Sequence, residues 1–568
     1  MKGFSNRHIG INSSDKKQML DCLKVDSIEQ LISETIPSNI RLKNEMDLDP
    51  ALSEYDYLNH IEKLSKKNKV FKSYIGLGYN EAIIPSVIKR NILENPSWYT
   101  AYTPYQAEIA QGRMQALLNY QTIICDLTGM ELANASLLDE STAAAEAMTM
   151  LFSLRSKDQK NNLANSFFVS NDTFAQTVSL LKTRAEPLGI KVVVGEIDEF
   201  EFNKEFYGCL IQYPGIHGEI KDLAKYCEIA KSKGLKIVVA ADLLSLCILK
   251  EPACFGVDVV VGTSQRFGIP LGYGGPHAAF FATKEEYKRS IPGRIIGVSK
   301  DVDENTALRM ALQTREQHIK RARATSNICT SQVLLAVMAS MYGVFHGPIG
   351  LKEIAKKIHG LAVLLENALN KIGIKQLNEN YFDTLLLEGS SEKIRLIAEK
   401  NKINFNYISD KLFSISLNET TSLNDIQLII NLISKATYKE TIIADVSTGS
   451  IRISTSFLRE SSFLQANIFN SHHSETGLMR YIKNLERKDL SLTHSMISLG
   501  SCTMKLNAAS EMIPISWSKW NNIHPFAPLS QAKGYKKLLK KLENQLNVIT
   551  GFAGTSLQPN SGAQGEYA

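Results

Sequence analysis

The feature that most constrains this chain is that its beginning recurs near its end. His60-Ile61-x-x-Leu64 aligns with Tyr481-Ile482-x-x-Leu485, an offset of 421 residues (485 − 64). Ile75-Gly76-Leu77-Gly78 aligns with Ile497-Ser498-Leu499-Gly500 at 422, and Thr128-Gly129-Met130 with Thr550-Gly551-Phe552 at 422. Tyr102-Thr103-Pro104 aligns with Phe526-Ala527-Pro528 at 424, and Ser141, Ala143 and Glu146 align in outline with Ser561, Ala563 and Glu566 at 420. Five anchors in order, with so little drift, require a duplicated unit. Its period far exceeds the ~20–50 residues of solenoid repeats, so the unit is a whole multi-domain fold. The chain carries one complete copy and about the first quarter of a second. Its last residues, Gln558 to Ala568, read as a Gly-rich loop opening a helix. Domain boundaries fall in exposed linkers rather than at such points, so the second copy is expected to be incomplete.

Within the first copy the patterning is α/β. Ser166–Ser170, Lys191–Val194, Gly208–Gln212, Lys236–Ala241 and Val257–Gly262 are short β-branched runs bounded by Gly, Pro or Asp and separated by helical stretches. Their apolarity is continuous rather than alternating, as strands covered on both faces require, which predicts a mostly parallel sheet. A second alternation, with a helix over Leu351–Ile372 and strands at Thr384–Glu388 and Leu412–Ser416, predicts a smaller α+β domain. The expected division is a helical segment over 1–70, a large α/β domain over 71–335, a small α+β domain over 336–440, a connector over 441–475 and the start of the second copy over 476–568.

Composition narrows the function classes. The net charge of +6, from 64 basic and 58 acidic residues, is too slight over 568 residues to imply nucleic acid or a membrane surface. Eight cysteines are scattered without a CxxC pair, so buried free thiols are expected rather than disulfides or zinc. No apolar run reaches the ~18 residues of a membrane span. The first ten residues lack a signal-like apolar stretch, and a bacterial cytoplasm is the expected address.

Several segments carry chemistry by their residue types. Ser561-Gly562-Ala563-Gln564-Gly565, entering a helix, offers backbone N–H groups and the positive end of a helix dipole, apparatus suited to a phosphate. Its counterpart Ser141–Glu146 has lost both glycines and should form the helix but hold phosphate poorly. Asp242 ends the Lys236–Ala241 strand. There it either caps the following helix or pairs with a cofactor's pyridinium nitrogen. The next strand exits into Ser264-Gln265-Arg266-Phe267, where a Schiff-base lysine would stand and Gln265, which cannot form an imine, is found. Leu271–His277 is a glycine-dense turn that lets backbone approach whatever occupies the site. Trp98–Tyr105 packs four aromatic residues into eight. Gln313–Arg323 holds five basic residues (Arg315, His318, Lys320, Arg321, Arg323) and reads as a solvated face or, alternatively, an anion site. His524, on a Pro-bounded loop, is suited to a polar contact or to stacking on a cofactor ring.

These motifs resemble glycine dehydrogenase (decarboxylating), the P-protein family of the glycine cleavage system. The resemblance rests on Phe4–Gly10, Tyr74–Tyr79, Trp98–Tyr105, Gln313–Thr330, Ser498–Asn507, His524–Pro528 and Gln558–Ala568, in the family's order. It implies two fold-type I pyridoxal-phosphate units in tandem, with cofactor and lysine belonging to the second, the lysine in a His-Lys-Thr-Phe type segment beyond Ala568. It also implies that glycine loses CO₂ and that the aminomethyl group left passes to the lipoyl arm of the H-protein, in a homodimer. Carried over by position, Ser561, Gly562, Ala563, Gln564 and His524 would meet pyridoxal phosphate. Tyr102, Tyr105, Ser501, Cys502 and Thr503 would border the substrate channel. The alternative within the same resemblance is a noncatalytic scaffold, like an α subunit, for a cofactor-binding β partner.

Overall fold

The computed structural model describes residues 4–8, 10–100, 104, 106–326, 328, 331–444, 451–496, 507–559 and 562–567. They form two compact units, one of residues 1–70, 507–520 and 528–568, the other of residues 71–506 and 521–527. Among the described residues, thirteen strands belong to the second unit: β1 Lys72–Tyr74, β2 Leu132–Ala133, β3 Ser166–Ser170, β4 Lys191–Gly195, β5 Phe206–Tyr213, β6 Lys236–Ala241, β7 Val259–Thr263, β8 Ala279–Thr283, β9 Ile295–Lys300, β10 Thr306–Ala311, β11 Thr384–Glu388, β12 Ile403–Ser409 and β13 Leu412–Ser416. The helices that matter below are α1 Glu54–Ser65, α2 Gln111–Thr128, α3 Glu140–Ser153, α4 Val333–Lys371, α5 Glu475–Glu486, α6 Lys533–Thr550 and α7 Gly562–Tyr567.

Seven strands make the large sheet in the order β2-β8-β7-β6-β5-β3-β4, parallel from β7 to β4 and antiparallel where β8 joins β7 and β2. Successive residues of one strand enter different cores. Val238 and Ala240 pack with Ala143, Ala144 and Leu151 of α3, while Ile237, Val239 and Ala241 pack with Leu117 and Tyr120 of α2 and Met338 of α4. A strand buried on both faces needs apolar residues at every position, which is why these runs were continuous in the sequence. The edge strand β4 is only partly buried. The small sheet runs β1-β12-β13-β11, with β1 parallel to β12 and the rest antiparallel.

Helix α4 starts 18 residues before the expected Leu351 and runs on through Gly347 (φ 61°) and Pro348, where it kinks. By length and composition it is long and apolar enough to cross a membrane. Its apolar residues are spent in the core instead: Leu335 to Val344 and Leu351 to Leu369 supply much of the buried set. The segment after residue 451 is likewise packed down, with Phe463, Leu464 and Phe469 buried and Arg459 donating to the carbonyls of Asp126 (2.7 Å), Leu127 (2.7 Å) and Leu246 (3.0 Å). Of the six described cysteines, Cys209, Cys227 and Cys247 are buried thiols, but Cys22 and Cys254 are exposed, so the expected burial holds for only part of the set.

The duplication is visible in three dimensions. Helices α2 and α6 are both 18 residues long, and both end on a left-handed glycine, Gly129 (φ 73°) and Gly551 (φ 72°). Neither begins with a capping side chain of its own, because Ala110 and Ala532 stand there. The missing caps come from the opposite copy. Asp489, just after α5 of the second copy, accepts from the backbone N–H of Gly112 (2.7 Å) and Arg113 (3.2 Å) of the first. Asn68, just after α1 of the first copy, accepts from the backbone N–H of Gly534 (2.7 Å) and Tyr535 (3.3 Å) of the second. An antiparallel bridge accompanies each contact, Ala110 with Asp489 and Asn68 with Ala532. Each copy's N-terminal arm is thus docked on the other copy's long helix, which explains why residues 507–520 and 528–568 group with residues 1–70.

Candidate functional site

At the carboxyl ends of β5, β6 and β7 lies a cleft with room for about 50 Å³, lined by Gln212, Asp242, Thr263 and Arg266 from the large sheet, Glu140 from the start of α3, Phe174, and Asp383, Thr384 and Ser416 from the small sheet. This is where α/β sheets gather ligands. Asp242 takes the capping role: Oδ1 accepts from the N–H of Leu244 (2.9 Å) and Ser245 (3.4 Å). Its other oxygen meets Arg266 Nε at 3.1 Å, and Arg266 also pairs with Asp383. Burial pushes the Asp242 carboxyl up, against the pull of Arg266. Burial works against the Arg266 charge too, yet Asp242 and Asp383 outweigh it and hold the guanidinium charged.

These residues do not fit pyridoxal phosphate. No lysine is among the described residues lining the cleft. Gln265 is fully buried and fully used: its Nε2 donates to the carbonyls of Asn80 and Ile269 (2.7 Å each) and its Oε1 accepts from the Asn80 N–H (3.0 Å). It bolts the β7 exit to the 75–80 loop. The carboxylate that would answer a pyridinium nitrogen is already paired with Arg266. At the N-terminus of α3, Asp139 caps Thr142 (N–H 2.8 Å, hydroxyl 2.9 Å) and Glu140 follows directly. Two carboxylates therefore occupy the dipole end where a phosphate would sit. Burial pushes the Glu140 carboxyl up to about 8, while the Gln212 amide at 3.3 Å pulls the other way.

Beside this cleft the second copy contributes a short loop. His524 is buried, its Nε2–H is shared between the carbonyls of Gly76 (3.1 Å) and Tyr79 (3.2 Å), and its Nδ1 accepts from the Phe526 N–H (3.1 Å). Both ring nitrogens are engaged and the ring is neutral: burial pushes the imidazole down to about 4. Tyr79 stands edge-on to His524 (5.9 Å) and Phe526 (5.7 Å) and packs on His277 (4.9 Å). The glycine-dense turn is shaped for this loop. A Cβ at Gly274 (φ 86°) would lie 2.8 Å from Pro525 Cβ.

The remaining sequence candidates divide as follows. Tyr102, Tyr105, Ser501, Cys502, Thr503 and Ser561 lie outside the described residues. Gly562, Ala563 and Gln564 fall in α7, with Gln564 exposed. Trp98 is buried. The solvated face expected of Gln313–Arg323 holds for Lys320, Arg321 and Arg323 but not for Arg315. That guanidinium is buried and donates to the carbonyls of Ile291, Gly293 (3.1 Å) and Leu312 (3.2 Å), so it serves as a clamp on the β8–β9 connection. Glu140, Gln212 and Asp383 were not singled out in the sequence. The available signal was two consecutive acids, Asp139 and Glu140, entering the Ser141 loop where its second-copy counterpart has Pro559 and Asn560.

Comparison with known proteins places the chain clearly. Residues 6–433 match the family model for the glycine cleavage system P-protein. A glycine dehydrogenase (decarboxylating) from Flavobacterium johnsoniae is 61% identical over the whole chain, which covers 60% of that relative. One from Nostoc sp. is 53% identical, again over the whole chain and 58% of the relative. The chain thus spans about 60% of the length of these curated relatives. Among solved structures, an inhibitor-bound glycine decarboxylase (P-protein) is 30% identical with a TM-score of 0.69, covering 75% of this chain and 99% of that one. A Lactobacillus brevis glutamate decarboxylase shares the fold at 13% identity and a TM-score of 0.50.

Proposed function

Because the chain belongs to the glycine cleavage system P-protein family, we propose that its activity is glycine decarboxylation, the remaining aminomethyl group passing to the lipoyl arm of the H-protein. The observation that carries this reading is 61% identity, over the whole chain, to a relative named for that activity. Pyridoxal phosphate, the family's cofactor, supplies the electron sink for the carbanion left when CO₂ departs. The first copy is the noncatalytic one, since Gln265, Asp139 and Glu140 exclude the cofactor there. Cofactor contacts are assigned to the second copy, to the backbone from Ser561 to Gln564, and the channel to Tyr102, Tyr105, Ser501, Cys502 and Thr503. His524 ties the second copy's loop to the first copy's Gly76 and Tyr79, and its assigned contact with the cofactor is made from that anchored position. The protein works as a homodimer in the bacterial cytoplasm.

The test is glycine–bicarbonate carboxyl exchange with lipoylated H-protein, measured on the protein containing this chain. Exchange dependent on both glycine and H-protein supports the reading, and its absence in a cofactor-loaded preparation refutes it. The scaffold reading draws on the same closed first-copy cleft. It would be favoured if exchange required a separately added cofactor-binding chain.

A further inference from the structure

We propose that the segment leading from the first copy into the second is held by a proton-sensitive latch, in which His359 of α4 grips the backbone of Arg452 and Glu366 of α4 grips its side chain. His359 is fully buried, and both of its ring nitrogens are used. Nδ1 lies 2.8 Å from the Phe382 carbonyl, which can only accept, so Nδ1 carries the proton. Nε2 lies 3.0 Å from the Arg452 backbone nitrogen, which can only donate, so Nε2 presents its lone pair. The two neighbours thus fix one neutral tautomer. Two turns along α4, buried Glu366 accepts from the Tyr381 hydroxyl and pairs with the Arg452 guanidinium. Burial holds the imidazole below its ordinary 6.5.

A second proton on His359 would set an N–H against the Arg452 N–H inside the protein, where an unmade hydrogen bond is costly. Among the described residues, the ionisable groups facing the ring are Glu366 from α4, Tyr381 and Asp383 from the loop before β11, and Arg452 itself. Both carboxylates favour the charged ring. Glu366 is already engaged by Tyr381 and Arg452, however, and Asp383 by Arg266, and burial outweighs them. The latch therefore opens in acid. What opens is short. Past Phe457 the segment is tied by bonds that do not titrate: the Arg459 N–H donates to the Ile248 carbonyl (2.8 Å), and its guanidinium to those of Asp126, Leu127 and Leu246. Protonation frees the stretch around Arg452 and leaves the rest of the segment in place.

The experiment follows amide hydrogen exchange by mass spectrometry in the protein containing this chain, with rates corrected for the intrinsic effect of pH. An opened latch exposes an imidazole of ordinary value near 6.5, so each pH unit below that favours opening roughly tenfold until the folded ring itself titrates. Between about pH 7.5 and about pH 5.5, exchange of the Arg452 amide should quicken about tenfold while that of the Arg459 amide holds steady. In His359→Gln the side-chain amide can donate to Phe382 and accept from Arg452 without titrating, so the acceleration should vanish. No acceleration at Arg452, an equal one at Arg459, or the same one in a folded His359→Gln protein would overturn the proposal. The two amides are compared within the unaltered protein, so the result decides even if His359→Gln does not fold.

Discussion

At the scale of single residues, the first copy shows how a cofactor site is closed. Gln265 has three hydrogen bonds that a lysine cannot reproduce, since lysine has no acceptor for the Asn80 N–H. Gln265→Lys should therefore destabilise the chain by roughly 1–3 kcal/mol, read from denaturant midpoints, and should gain no cofactor adduct after borohydride reduction. His524 gives a second expectation. Its folded-state value of about 4 lies below the ordinary 6.5, so the unfolded chain binds the proton first. Stability is full above pH 6.5 and falls as pH drops towards 4, by about 3 kcal/mol at most from this group. His524→Gln keeps a donor for Gly76 and Tyr79 and should flatten that slope, whereas an unchanged slope would mean the imidazole titrates normally. The absence of an imine former was legible from Gln265 alone. The roles of Glu140 and Gln212 were not, because an acid at a helix start reads as a cap whether or not a cavity lies beyond it.

At the scale of elements, the apolar runs announced β3, β6, β11 and β13 to the residue and β4, β5 and β7 within two residues at each end, while β1, β2, β8, β9, β10 and β12 were not announced. Burial leaves such strands mostly apolar, with small hydroxyl residues such as Ser166, Ser170, Thr384, Ser414 and Ser416 among their few buried polar positions, so their limits are sharp in the sequence. The docking of the arms could not be read that way, because repetition says that two copies exist and not whose body each arm covers. The two docks also differ where it counts. In one, Asp489 caps the helix and meets buried Arg113 Nε at 3.3 Å; in the other, Asn68 caps it beside Tyr535. Asp489→Asn should keep the cap but strand the guanidinium, costing about 3–5 kcal/mol. Adding Arg113→Tyr should recover much of that loss, a coupling that a double-mutant cycle measures directly. The glycines are ranked as well. A Cβ at Gly112 would fall 1.9 Å from the Leu485 carbonyl oxygen, and one at Gly534 2.6 Å from that of Leu64. Gly112→Ala should be the more damaging substitution, seen as earlier proteolysis of the 475–490 arm.

At the scale of the whole molecule, pyridoxal phosphate and borohydride should leave no lysine of this chain labelled at a single site, which peptide mass spectrometry can check. One labelled lysine within residues 1–568 would reassign the catalytic copy. The exchanged caps have a further consequence, in time. Asp489 follows Gly112 by 377 positions, and Gly534 follows Asn68 by 466. A ribosome adding ~5–20 residues per second needs roughly 20–75 s to cover the first interval and 25–95 s the second. For that long the first copy's main helix is made but unfinished at its start, and its arm has nowhere to dock. A newborn chain must wait, with apolar surface showing, for the second copy to complete the first.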